Sequence, residues 1–370
     1  MKRFNKLNFR ALAHALISPA GITWLFIVVY LTAVMIQGSG GPLELVQFGS
    51  DTSEGYDGQY VYYIALDPDP EAVSPFLDVP AYRYQRILLP ILARVMSIGN
   101  PALIPWLLPA INLFVHTTAV WLLGLLFQFW GLKRWHALPY GLWAGLLYSF
   151  RLDLPEPLAF GLVIAAIYFG HKNQRWVAWL FFAFALFAKE TAIFFVAGQL
   201  LVYFLKREWR ALIGLSLMAL VPFSVFQLWL GRVFGQSGLA SGGADAAPLE
   251  WIPFNGIWQI GSFSLIVMLG LFLAYSISLL LPALWGTMSA LRRWRVSGVD
   301  FSSTAVLANA AIYPFLPFLL YSEPIGVFRF ASGLVLALLV FSASNKNNRT
   351  LKYSYFWLVL SLMPLSELVY

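Results

Sequence analysis

Residues 172–210 read KNQRWVAWLFFAFALFAKETAIFFVAGQLLVYFLKREWR. Two apolar runs, near 175–188 and 192–205, end outward in basic clusters and are joined by Lys189 and Glu190. Each is 14 residues long, and the run before them, near 157–171, is barely longer. A helix needs about 20 apolar residues to cross ~30 Å of hydrocarbon. The turns carrying Asp153, Glu156, Lys189 and Glu190 are therefore expected below the membrane surface. Charge at that depth is costly unless it faces a hydrated cavity or is paired. Bilayer thinning with Trp and Tyr anchors is the competing account of the mismatch.

Working outward, the whole chain has the composition of a protein in lipid. Of its 370 residues, 60% are hydrophobic and only 11% charged, with a mean hydropathy of +0.72. A soluble domain carries about 25% charged residues, so this chain has too few to cover a globule. A net charge of +7 would suggest nucleic acid in a soluble protein. Here the basic residues sit in short clusters between apolar runs, which orients a membrane protein and removes nucleic acid from the expected partners. With no cysteine, disulfides and thiolate metal sites are excluded. The run near 18–37 follows a basic Met1–Arg10 stretch but exceeds the roughly 7–15 residues of a signal-peptide core. It is read as an uncleaved first helix.

Seventeen of the 24 lysines and arginines fall in six connectors, accompanied only by Glu208 and Asp300. These are Lys2–Arg10, Lys133–Arg134, Lys172–Arg175, Lys206–Arg210, Arg292–Arg295 and Lys346–Lys352. Lys and Arg are retained on the cytoplasmic side, so this set is expected inside and the acidic connectors outside. The fold expected is an all-α integral membrane bundle of about eleven spans with a cytoplasmic N-terminus. The spans lie near 18–37, 102–130, 135–151, 157–171, 175–188, 192–205, 210–231, 257–291, 303–321, 326–343 and 353–368. Residues 86–98 are also apolar, but counting them as a span would invert every later loop. They are read as an interfacial or re-entrant helix. The chain is thus one transmembrane domain over residues 1–370. Its outer loops are 38–101, with interfacial helices, and 232–256, with a flexible Gly/Ala/Ser run near 235–247. A multi-pass protein of a bacterial inner membrane is the expected setting.

The first outer loop is the densest polar segment: SDTSEGYDGQYVYYIALDPDPE over residues 50–71, then DVPAYRYQRILLPILAR over 78–94. Gly55 and Gly58 bracket Tyr56–Asp57, a tight backbone suited to aiming a carboxylate. Asp67–Pro68–Asp69–Pro70 reads as a turn. Arg83 and Arg86 are three apart, on one helical face. They suit bidentate contact with a lipid phosphate, or equally snorkelling to headgroups. In RLDLPEPLAF, residues 151–160, Asp153 and Glu156 flank a proline-broken turn. Lys189 is expected to pair with one of them across a cavity. In EPIGVFRFASG, residues 323–333, Glu323 and Arg329 mark another outer turn.

No Walker loop, HExxH or GxSxG is present, and the one Asp-x-Asp, Asp67–Pro68–Asp69, is read as a turn rather than a metal pair. His14, His116, His136 and His171 fall within spans or on the inner side. Histidine-based and nucleotide-driven mechanisms are set aside, and no cofactor or metal is expected, since no motif supports one.

Together these features resemble the GT-C superfamily of polytopic glycosyltransferases. YDGQYVYYIALDP, residues 56–68, looks like the first-loop motif of the GPI-mannosyltransferase-like branch, an aromatic–Asp–Gly step before a tyrosine-rich segment. Tyr56 stands where that branch usually has Trp. RYQRILLPILAR, residues 83–94, occupies the place of the branch's proline-containing apolar stretch but is more basic. The chain is also similar to bacterial membrane proteins associated with cell-surface glycopolymers. The resemblance implies a polyprenyl-phosphate-linked sugar as donor, short central hairpins, and Asp57 as catalytic carboxylate. A membrane glycosyltransferase, inverting, is therefore expected. It would act outside on a glycan or lipid acceptor among membrane lipids, with Asp57 and Glu156 catalytic. Arg83, Arg86, Asp153, Lys189, Glu190, Glu323 and Arg329 would bind substrate. The rival class is an ion-coupled transporter or lipid flippase, for which intramembrane charges are also typical. Charges gathered at one face and the absence of a visible inverted repeat weigh against it.

Overall fold

A computed structural model describes residues 17–38, 40–49, 55–241 and 249–366. Expectations placed on Lys2, Arg3, Lys6, Arg10, His14, Asp51 and residues 242–247 of the Gly/Ala/Ser run lie outside the described residues. Among the described residues all regular structure is helical. Pro19–Gly38, Pro101–Phe129, Trp209–Phe234 and Leu265–Ser297 are long and apolar enough to cross a membrane. Pro324–Phe330 and Ser332–Ser344 add a fifth if this pair, bent by 42°, is one crossing. Glu156–His171, Arg175–Ala188 and Glu190–Leu205 are apolar but shorter, as expected from the sequence. Leu88–Met96 is nine residues long, about 14 Å of helix.

Five of the expected spans are not continuous helices. The span 257–291 is interrupted at Ser264, in extended backbone between Asn255–Phe263 and Leu265–Tyr275, and 326–343 is the bent pair just described. Over 135–151, the helix Leu138–Gly141 stops before Ala144–Arg151 begins. Between them the Gly141 carbonyl bonds His116 Nε2 at 3.0 Å. Over 303–321, helix Phe301–Ala310 gives way to Tyr313–Phe315 and Phe318–Ser322, because Pro314 and Pro317 bring no N–H to a helical ladder. Over 353–368 the chain is a series of short pieces. There Ser354 and Ser361 donate their hydroxyls to the carbonyls of Leu351 and Leu358, a local bond that competes with regular helix.

Helices Trp209–Phe234 and Leu265–Ser297 each absorb a proline by widening. Ser216–Leu220 and Ser276–Leu280 are π-helical turns, lying just before Pro222 and Pro282. A proline inside a helix frees the carbonyl four residues earlier, and a π-turn accommodates it. In lipid that carbonyl must find another partner. Ser278 O, four before Pro282, accepts from Trp357 Nε1 at 2.8 Å, and Tyr353 OH donates to the adjacent Ile277 O. The C-terminal pieces are fastened onto Leu265–Ser297 in this way.

At the centre, Glu156–His171 packs between Arg175–Ala188 and Ile104–Phe129, and Ile193–Leu205 packs on Phe301–Ala310. Phe160, Val163, Ile164, Phe195 and Leu334 through Leu339 are fully or nearly fully buried in one apolar cluster. The ends of these central helices open into two separate cavities, one acidic and cationic together, the other mainly among the basic connectors.

Candidate active site

Glu156 opens its helix with Pro155 before it and Pro157 after it. The turn is fixed from the side by Asn112, whose amide donates to Leu154 O at 2.9 Å and accepts from Leu158 N at 3.2 Å. Onto this turn docks the first-loop segment. Gly55 has φ +73, open to glycine at little cost, and Tyr56 N bonds Gln47 O at 2.9 Å. A Cβ at Gly58 would collide with the Leu152 carbonyl. The two glycines bring Asp57 against the Leu152–Glu156 turn. Asp57 stands at the N-cap position of Gly58–Leu66 yet caps nothing, so its carboxylate is left to other partners.

Those partners are arginines. Arg83 Nη1 lies 2.7 Å from Asp57 Oδ1, and Arg329 Nη2 and Arg86 Nη1 lie 3.6 and 4.0 Å from Oδ2. Burial alone would raise the Asp57 carboxyl, but Arg83, then Arg329 and Arg86, outweigh it and hold it below the usual carboxylate range. Glu156 is 0% exposed, and its Oε1 accepts from Lys189 Nζ at 2.9 Å and from Arg329 Nε and Nη2 at 3.1 and 2.9 Å. Its Oε2 is buried with no protein partner. Arg86 holds Glu190 through two bonds of 2.9 and 2.7 Å. Tyr56 OH donates to Glu323 Oε1 and accepts from Arg329 Nη1, both at 2.8 Å.

All of these residues line one cavity of about 680 Å³. Asp57, Glu156, Arg83, Arg86, Lys189, Glu190, Glu323 and Arg329, separated by up to 272 positions in the chain, are its charged lining together with Asp78. Arg83 and Arg86 turn inward rather than snorkel, and Lys189 takes Glu156 as its partner. Asp153 is the correction: it lines no part of the cavity. At φ +48 its side chain is buried with neither oxygen hydrogen-bonded. Burial pushes its carboxyl well above the usual range, opposed only by Arg151, so the neutral form is favoured.

Three contributors were not singled out from the sequence. Asp78 clamps Arg83 with bonds of 2.8 and 2.7 Å, Tyr82 OH accepts from Arg86 at 2.7 Å, and Tyr56 links Glu323 to Arg329. The five-residue spacing of Asp78 and Arg83 was the available signal for the first. Among the described residues, no three His, Cys, Asp or Glu side chains gather to hold a metal ion. No family model, curated protein or solved structure matches the chain.

A second cavity, about 390 Å³, lies at the opposite end of helix Glu156–His171. Arg175, Lys206, Glu208, Arg293 and Asp300 stand around it, with Trp130, Trp179 and Tyr203. Its charges pair at the rim, Arg175 with Glu208 at 2.9 Å and Arg293 with Asp300 at 2.8 Å.

Proposed function

We propose that this chain is a GT-C-like membrane glycosyltransferase. It would transfer a sugar from a polyprenyl-phosphate donor to a glycan or lipid acceptor outside the cytoplasm, with inversion. One observation carries the reading. A cavity of sugar-phosphate size joins four cations to an aimed carboxylate, Asp57, and a buried carboxylate oxygen, Glu156 Oε2, with no protein partner. An unpaired buried acceptor is costly, and a sugar hydroxyl satisfies it.

The acceptor hydroxyl has a pKa far above 7, so its attack on the anomeric carbon needs a base within hydrogen-bond reach. Asp57 takes that proton. The anomeric carbon–oxygen bond to phosphate breaks, and charge grows on the departing lipid phosphate. Arg86, Lys189 and Arg329 stabilise that charge, and Glu156 holds the last two in position. No nucleotide is consumed, because the phosphoester supplies the driving force. Purified protein offered a panel of radiolabelled polyprenyl-phosphate sugars should transfer one of them. Transfer from none, with acceptor extracts present, overturns the reading.

The transporter keeps one observation in its favour, the second cavity. The two cavities are separated by about 15 Å of helix Glu156–His171, from Glu156 to Ala166, along which Leu158, Phe160, Val163 and Ile164 are buried in apolar core. A polar substrate has no path there, which favours the enzyme.

About eleven crossings, several of them broken or short, and an N-terminus inside belong to the same proposal. The chain has no cysteine, so single cysteines test it cleanly. Glu71 and Gln174 are both exposed. An impermeant thiol reagent on intact cells should label Glu71→Cys and spare Gln174→Cys. The reverse pattern overturns the orientation.

A further inference from the structure

Three arginines converge on Asp57, and each is fastened by a different carboxylate. Arg83 is gripped by Asp78, Arg86 by Glu190, and Arg329 by Glu156. Aromatic rings support them as well: the Arg83 guanidinium lies 4.5 Å from the Tyr60 ring centroid, Arg86 4.4 Å from Tyr82, and Arg329 5.3 Å from Tyr56. Anchored in this way, each guanidinium still directs one nitrogen to within 2.7–4.0 Å of the Asp57 oxygens. Preorganised guanidinium forks around one point make a receptor for a tetrahedral oxyanion. In the cavity that point holds Asp57.

The charge count sharpens this. The lining carries four cations, Arg83, Arg86, Lys189 and Arg329, against five carboxylates, Asp57, Asp78, Glu156, Glu190 and Glu323. An anion added to that set gains nothing unless one carboxylate gives up its contacts. Asp78, Glu156 and Glu190 are each bound by hydrogen bonds of 3.1 Å or less to the arginine they anchor, and Glu323 is bonded to Tyr56. Asp57 has one short ion pair, two longer ones and a side chain still 25% exposed. It is the carboxylate that can leave.

We propose that Asp57 is a placeholder for the donor's phosphate, occupying the three-arginine cradle until a phosphate displaces it. On the glycosyltransferase reading, which this extends, the exchange sets an order: the donor binds first and releases the base that activates the acceptor. Asp57 is silenced by the same cations that later serve the leaving group, so the empty site has no free base.

Displacement is testable without any transfer. The probes are inorganic phosphate and a short-chain polyprenyl monophosphate, titrated calorimetrically into detergent-solubilised wild type, Asp57→Asn and Asp57→Ala. Removing the competitor should tighten both probes in both variants by about tenfold, the scale of one partly screened charge contact. Glu190→Gln removes the same charge but leaves Asp57 in the cradle, so it should tighten them less than the Asp57 variants do. An equal gain means that the charge count alone, and not the placeholder, governs binding. Thermal unfolding identifies a variant that has lost its fold, and the second Asp57 variant then decides. Unchanged or weaker binding in the folded Asp57 variants overturns the placeholder, as does binding by no form of the protein. Tighter binding in a protein that transfers no sugar keeps the placeholder and rejects the enzyme, so the two failures are distinguishable.

Discussion

Asp57→Asn is expected to keep the fold and slow sugar transfer by about 10²–10⁴-fold, the usual loss when general-base assistance is removed, or roughly 3–5 kcal/mol of barrier. The amide has nearly the shape of the carboxylate but cannot take the acceptor's proton. Arg83 retains Asp78 when Asp57 loses its charge, so the loss should appear in turnover rather than in melting. Asp69→Asn is the matched control. Asp69 lies in the same loop, but it is exposed and accepts from Glu71 N and Ala72 N, both at 3.0 Å, as a turn cap. Its replacement should leave turnover alone. The pH profile adds a second check. The arginines hold free Asp57 below the usual carboxylate range, so the base form persists to low pH. The acid limb of kcat/KM, which reports the free enzyme, should therefore lie below that range, with the rate flat above it. Near-normal turnover in Asp57→Asn alongside a loss in Asp69→Asn means the wrong carboxylate was chosen. If neither matters and Glu156→Gln is equally active, the chemistry fails and the transporter is preferred.

Apolar length made the membrane-capable helices readable from the sequence, and the short hairpins marked two of the turns that meet at the cavity. Eight of the nine proposed site residues line one cavity. Asp57, Arg83 and Arg86 stood out by their spacing in a polar loop, and Glu156, Lys189, Glu190, Glu323 and Arg329 as charged groups in segments otherwise apolar. That is a burial cost visible in one dimension. Asp153 met the same criterion and failed, since a single left-handed residue decides which way a side chain turns, and nothing in RLDLPEPLAF marks that. Continuity was also illegible. The runs 135–151, 303–321 and 353–368 are apolar enough to be spans, yet each breaks: the first after Gly141, whose carbonyl bonds His116, the others where a proline or a serine hydroxyl diverts the helical ladder. Conversely, Pro222 and Pro282 do not end their helices, because π-turns absorb them and, at Pro282, Trp357 takes the freed carbonyl at Ser278. Whether a proline breaks or merely widens a helix depends on such distant donors. Tyr82 was missed for a related reason: a tyrosine in an outer loop looks like an interfacial anchor until a buried arginine is found leaning on it, and Tyr56 was read as the motif's aromatic residue without a bonding role.

Glu156→Gln should be the most destabilising single change in the site. Glu156 is fully buried, and one of its oxygens serves both Lys189 and Arg329. The amide leaves two buried cations without their shared counter-charge. Removing one partner of a buried pair commonly costs about 3–5 kcal/mol, mostly the penalty of the charge left behind. Arg329 keeps Tyr56 at 2.8 Å and a longer contact to Asp57 at 3.6 Å, whereas among the described residues Lys189 has a single ion pair, with Glu156, and Glu190 acts on it only from further away. Lys189 should therefore dominate the penalty. Glu156→Gln combined with Lys189→Met should recover much of the stability lost by Glu156→Gln alone, because it withdraws the stranded ammonium. Thermal unfolding of the three proteins in one detergent reads this directly. Equal melting of wild type and Glu156→Gln, or a double variant less stable than the single, removes the buried pair as the device that holds the turn. The recovered double variant should still transfer no sugar, because the carboxylate that positions Arg329 and a cation for the leaving phosphate are both gone. Stability and turnover would then part in a protein whose site is folded but chemically empty.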